Sequence, residues 1–249
     1  MTGGHETGRA PITVVGFDFF GTLVDARAEA QQCIHGICQT LHRYEICLPP
    51  DEFLQVYRAT AADQREVRRT MHQEVSNRRL LVATLQRLGY SVDDQSPAVV
   101  HGVEAYFQPW RLTVFEDAWR AVEGLRAACR FGVISNFTDT CFLHRAVQRL
   151  GLADFFESVV VSEEVGWRKP HPRIFRRFLQ QMGVDAEDVL FVGDDLQCDI
   201  VGAKNVGMRT AWIVRDATPV VNDEVTTIHP DFIIHSLEQL PPLLQASTG

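Results

Sequence analysis

Six short apolar runs rich in β-branched residues punctuate this chain, and the uneven spacing between them admits few folds. The first covers residues 12–17 (ITVVGF). The others, at 131–135 (FGVIS), 158–162 (SVVVS), 189–193 (VLFVG), 210–214 (TAWIV) and 232–234 (FII), all lie beyond residue 130. Runs that are apolar throughout suit parallel strands covered on both faces by helices. Helix-like or turn-rich segments separate the later ones, and that alternation predicts an α/β fold with a doubly wound, Rossmann-like parallel sheet.

Between residues 25 and 112 the pattern changes to helical period without strand candidates. Residues 26–44, 50–88 and 97–110 read as long amphipathic segments, with breaks at Pro49-Pro50, at Gly89 and around 93–97. The expectation is a core domain formed by 12–25 and 113–249, carrying an all-helical inserted domain at 26–112. Residues 116–129 return to the core as a helix, and 1–11 are expected to be disordered.

At 249 residues with a hydrophobic fraction of 45%, the chain can bury a core of ordinary size and an insertion as well. A formal charge of −8 argues against nucleic-acid binding, which rests on Lys and Arg neutralising phosphates. No apolar run is long enough to span a membrane, and MTGGHETGRAP lacks the apolar region of a signal peptide, so a cytoplasmic location is expected. The 6 cysteines form no CxxC pair and no zinc spacing, which predicts reduced thiols. Nothing in the sequence bears on oligomeric state.

Ligands of open α/β sheets collect at the carboxyl ends of the strands, and four such ends here carry polar groups. After the first run comes Asp18, followed by Gly21 and Thr22, which allow a tight turn against an anion. A carboxylate there can act as a nucleophile or can cap a helix. After the second run, Ser135 and Asn136 can hold phosphate or carboxylate oxygens, or serve as a turn. Lys169 lies in GWRKPHP, after the third run. Its place before a proline keeps it out of helical geometry, so its ammonium can face an anionic site. His171 and Trp167 read as loop packing or pocket rim. The fourth end, GDDLQCD, sets Asp194, Asp195 and Asp199 close together, where they repel one another unless a cation compensates. A hard divalent ion such as Mg²⁺ is the natural compensator, and solvated capping aspartates are the plain alternative.

Taken together, an Asp turn, a Ser-Asn, a Lys-Pro and a GDDxxxD, each after an apolar strand, resemble the four-motif layout of the haloacid dehalogenase-like (HAD) superfamily. The helical insertion after the first motif looks like the cap of its dehalogenase/phosphoglycolate phosphatase branch. The resemblance covers roughly residues 12–214. It implies Asp18 as nucleophile, Lys169 stabilising charge and orienting Asp18, and Thr22, Ser135, Asn136 and Lys169 as substrate-binding residues. It further implies Mg²⁺ held by Asp18, the backbone carbonyl of Phe20 and Asp194, with Asp195 and Asp199 supporting from behind.

The phosphatases of that family read DxDGT, and this chain reads DFFGT. Phe20 stands where the general acid/base Asp belongs, a loss worth roughly a hundred- to ten-thousand-fold in rate. The metal contact survives, because the family uses the backbone carbonyl there. Three readings stay open. One is Mg²⁺-dependent hydrolysis of a small phosphorylated metabolite through an aspartyl intermediate, best suited to good leaving groups. The second is a 2-haloacid dehalogenase using Asp18 without metal, since that branch carries an aromatic at this position and halide leaves unprotonated. The third is a catalytically weak phosphoester-binding or interaction module.

Overall fold

The computed structural model describes residues 11–215 and 229–246. The stretch expected to be disordered lies outside them except for Pro11, which is exposed. In chain order the elements are β1 (Val14–Phe17), β2 (Val24–Arg27), α1 (Ala30–His42), α2 (Pro50–Met71), α3 (Asn77–Arg87), α4 (Pro97–Phe107), β3 (Arg111–Val114), α5 (Glu116–Leu125), β4 (Arg130–Ser135), α6 (Thr140–Arg149), β5 (Phe156–Val161) and α7 (Ser162–Val165). Then follow α8 (Pro172–Met182), β6 (Val189–Gly193), a π-helical turn (Leu196–Val201) running into α9 (Gly202–Lys204), β7 (Arg209–Ile213), β8 (Phe232–Ile234) and α10 (Leu240–Ala246).

All six expected core strands form, shifted by at most two residues. They make one parallel sheet in the order β5-β4-β1-β6-β7-β8. Every residue of β1 and β6 is buried, which is why their sequences are apolar on both faces. Beneath one face α8 lays down Ile174, Phe175, Phe178 and Met182 against Val14, Ile134, Val160, Val189 and Phe191. Each such burial contributes roughly 1.5–3 kcal/mol. β1 pairs with β4 on one side and β6 on the other. The chain therefore winds away from β1 in both directions and leaves a crevice at the carboxyl ends of these three strands.

The insertion after β1 is helical, as expected, with two corrections. Residues 24–27 and 111–114 are not free of strand structure: they pair antiparallel, with Ala26 opposite Leu112. Each is only four residues long and half-exposed, too short for a period-two signal to stand out. Residues 50–88 are not one helix either. The chain leaves α2 at His72 in a left-handed conformation (φ 52°) and re-enters a helix at α3, capped by Ser76. No Gly or Pro marks this break, because tertiary contacts make it. α1 packs mainly on α4, burying Cys33, Ile34, Ile37 and Leu41. The insert's apolar residues form one continuous cluster with those of the sheet, including Val15, Phe17, Phe53, Leu81, Val103 and Phe107. None of the six cysteines is in a disulfide. Among the described residues no helix is long and apolar enough to cross a membrane.

Candidate active site

Asp18 follows β1 directly, and its N–H donates to the Val192 carbonyl of β6 at 2.8 Å, which fixes the first residue of the turn to the sheet. The next turn closes tightly. The Leu23 and Val24 N–H groups both donate to the Phe19 carbonyl, and the Gly21 N–H to the Val24 carbonyl. Gly21 sits at φ +89°, and a Cβ there would lie 2.4 Å from Asp194 Oδ2. Only glycine meets both demands. Thr22, fully buried, donates its hydroxyl to Asp194 Oδ1 at 3.3 Å, so it ties the first strand end to the fourth.

Lys169 is 2% exposed. Its ammonium donates to Asp18 Oδ1 at 2.5 Å and to the Ile134 carbonyl at 2.9 Å, and it forms an ion pair with Asp199 Oδ1 at 2.7 Å. Burial opposes its charge, but the two carboxylates outweigh that and hold its pKa above the usual lysine value. The backbone of Lys169 is clamped by Asn136 at both ends of the amide: Lys169 N–H donates to Asn136 Oδ1 at 2.7 Å, and Asn136 Nδ2 donates to the Lys169 carbonyl at 3.0 Å. Ser135 is buried at the end of β4.

At the end of β6, Gly193 lets Asp199 fold back over the strand, since a Cβ there would fall 2.3 Å from Asp199 Oδ2. Asp199 is 1% exposed and accepts the Asp195 N–H at 3.0 Å. Asp195 itself is exposed, and its Oδ1 accepts the Cys198 N–H at 2.7 Å as a cap of the following turn. The structure thus brings Asp18, Asp194 and Asp199 together, with ligand oxygens within 4.8 Å of one another, and leaves Asp195 at the edge.

Burial raises Asp18 and Asp199 above the usual carboxylate range; Lys169 opposes this, and neighbouring carboxylates add to it. Burial likewise pushes Asp194 up to about 6, helped by Asp199 and opposed by Lys169. Three carboxylates against one ammonium leave a net charge of −3 + 1 = −2 when all are ionised. The Phe20 carbonyl accepts no hydrogen bond from the described residues.

The Phe20 side chain packs into an aromatic cluster. Its ring lies 4.8 Å from Phe19, 5.1 Å from Phe137 and 6.0 Å from Trp110. Phe137 in turn packs on Phe107 and Phe142, which stack at 4.3 Å. The cluster joins the sheet's loops to the last turn of α4. Trp167 and His171 stack on each other at 4.0 Å, the loop packing expected of them.

Two residues around the site belong to none of the four motifs. Arg215, just past β7, donates to the Gly21 and Thr22 carbonyls at 3.2 and 2.8 Å while paired with Asp117 at 3.1 Å, and so pins the turn after Asp18. Trp212 Nε1 donates to the Asp194 carbonyl at 2.9 Å. The rule that sites gather at strand ends points to Arg215 as well, because it follows a strand as the other groups do.

The family model described as haloacid dehalogenase-like hydrolase matches residues 12–207. A glyceraldehyde 3-phosphate phosphatase of Pyrococcus furiosus is 41% identical over 103 residues, 41% of this chain and 42% of that protein. A pyrimidine 5'-nucleotidase of Escherichia coli is 35% identical over 133 residues, 53% of this chain and 57% of its own length. The chain therefore spans about half the length of the curated relatives it matches. Among solved structures, a 2-haloacid dehalogenase from Pseudomonas syringae pv. tomato superposes with a TM-score of 0.67 at 26% identity, covering 96% of this chain and 100% of that one.

Proposed function

The chain belongs to the haloacid dehalogenase-like hydrolases, and we propose that within them it hydrolyses a small phosphorylated compound, with Mg²⁺ and with Asp18 as nucleophile. The observation that carries this reading is the uncompensated charge at the strand ends, where three buried or half-buried carboxylates face one ammonium. Hard oxygen donors and a surplus of negative charge suit a divalent cation, and the phosphatase and nucleotidase relatives point the same way. Asp18, Asp194 and the free Phe20 carbonyl would hold the ion, with Asp199 engaged by Lys169 behind them. When bound, Mg²⁺ supplies positive charge facing the nucleophile and the phosphate oxygens.

The chain's own residues do the rest. Lys169 holds Asp18 Oδ1 and so fixes the rotation of the carboxylate whose oxygen attacks phosphorus. Asn136 holds the backbone of Lys169, while Ser135 and Thr22 line the place of the transferring group. As the bond from Asp18 to phosphorus forms, the bond to the leaving oxygen breaks, and Phe20 offers that oxygen no proton. Leaving groups stable as anions, such as aryl or acyl phosphates, are therefore turned over fastest. Water then hydrolyses the aspartyl phosphate. The helical insert serves as a cap over the crevice of the core domain. Assay of a phosphomonoester panel tests the reading: release must depend on Mg²⁺ and favour aryl over alkyl esters, and no release from any member ends it.

A second reading is favoured by Phe20 and by the full-length likeness to a 2-haloacid dehalogenase. Asp18 would then displace halide from carbon with no acid required. It predicts chloride release from 2-chloropropionate in the presence of a chelator, and absence of chloride removes it.

A further inference from the structure

The break between α2 and α3 carries a buried carboxylate that the proposed reaction does not use. From His72 onward the chain runs against the core. Gln73 forms an antiparallel bridge with Trp167. The Glu74 N–H donates to the Gly166 carbonyl at 3.0 Å, the Arg168 N–H to the His72 carbonyl at 3.0 Å, and the Asn77 N–H to the Thr138 carbonyl at 3.1 Å. The Glu74 side chain is 1% exposed and pairs with Arg68 Nε at 2.9 Å. It also accepts from Ser162 Oγ at 2.5 Å and from the Val75 N–H at 3.0 Å, and Arg168 Nη1 approaches at 3.4 Å.

Glu74 and Arg68 come from the insert, Ser162 and Arg168 from the core, and Arg168 immediately precedes Lys169. We infer that Glu74 is a positioning residue, delivered by the insert, which fixes residues 166–169 and through them the ammonium that orients Asp18. The kinetic part of this inference rests on the phosphatase reading; the structural part does not. A carboxylate between two guanidiniums suits the task. Its several directional bonds set one geometry when the seam is made, and all three ions regain hydration when it opens, so the cost of separation is small. The insert joins the core separately through β2 and β3, which pair with each other, and the Glu74 seam is a contact that motion about those two strands would break. Lysine placement is thereby coupled to the seating of the insert.

Glu74→Gln in the whole protein tests this, because Gln keeps the shape and can still accept from Ser162 but loses the charge that draws both arginines. Amide hydrogen exchange in peptides covering 72–77 and 166–169 is expected to quicken by about tenfold or more, with β1, β4 and β6 unchanged. On an aryl phosphate, kcat is expected to fall about tenfold while KM stays within about threefold, since the seated fraction has dropped and the substrate contacts have not. Ser162→Ala should move both readouts the same way, less far, and the double variant should lose less than the sum. Unchanged exchange in those peptides overturns the inference. So does exchange that quickens throughout the sheet, which would mean a general structural role, and so does quickened local exchange with kcat intact. If the unaltered protein releases no phosphate, the phosphatase reading fails by itself and exchange at 166–169 alone decides on Glu74.

Discussion

Phe20 stands where the DxDGT motif that this chain resembles carries its second Asp, and its ring is held by Phe19, Phe137 and Trp110. Phe20→Asp is expected to raise phosphate release from alkyl esters by about tenfold or more, part of the usual worth of acid catalysis. It should also cost about 1–3 kcal/mol of stability through lost ring contacts. Parallel kinetics and thermal melts check both, and a fall in release would mean that the native reaction uses no acid there. Asp194 gives a pH signature. Burial pushes its folded pKa up to about 6, above the ordinary aspartate value. The native state therefore keeps a proton that the unfolded chain has already lost, and stability falls as pH rises between about 4 and 6. Asp194→Asn should lessen that slope, the remainder coming from Asp18 and Asp199, and raise the metal-free Tm at pH 7 by a few degrees, for a gain on the order of 1–3 kcal/mol. A melt series from pH 4.5 to about 7.5 on both proteins reads it. At this scale the sequence is legible where a residue's role is local: Asp18, Lys169 and Asp194 each follow a strand within a short motif. Arg215 and Glu74 act through partners 193 and 88 residues away, and no pattern near them encodes that.

Among elements, the buried strands show themselves because covering both faces of a parallel sheet demands unbroken apolar runs. β2 and β3 do not, since four half-exposed residues each give too short an alternation to read. The break at His72 is hidden for another reason: residues 50–88 keep helical period and propensity throughout, and what interrupts them is hydrogen bonding to Gly166, Arg168 and Thr138. α8 is the opposite case, with its apolar stripe plain in the sequence and its burial complete. Phe178, fully buried between α8 and the sheet, should cost about 3–5 kcal/mol when cut to Ala. Urea unfolding should show this as a lower midpoint at nearly unchanged slope.

Across the whole molecule, the surplus negative charge of the crevice makes stability depend on what fills it. Mg²⁺ at about a hundred times its dissociation constant should stabilise the fold by about 2.7 kcal/mol. For a chain of this size that is a rise of several degrees in Tm. Asp194→Asn should abolish the rise, and an equal rise in that variant would place the ion elsewhere. Finally, the chain leaves the core at Val24–Arg27 and returns at Arg111–Val114, two strands in register with each other. Paired residues stand only about 5 Å apart, so a short turn can bridge the two ends without moving any strand of the sheet. In terms of descent, the helical segment is a replaceable module. Its successors would have to match the aromatic seam at Phe107 and Trp110 and to supply a partner for Ser162 and Arg168 where Glu74 now stands.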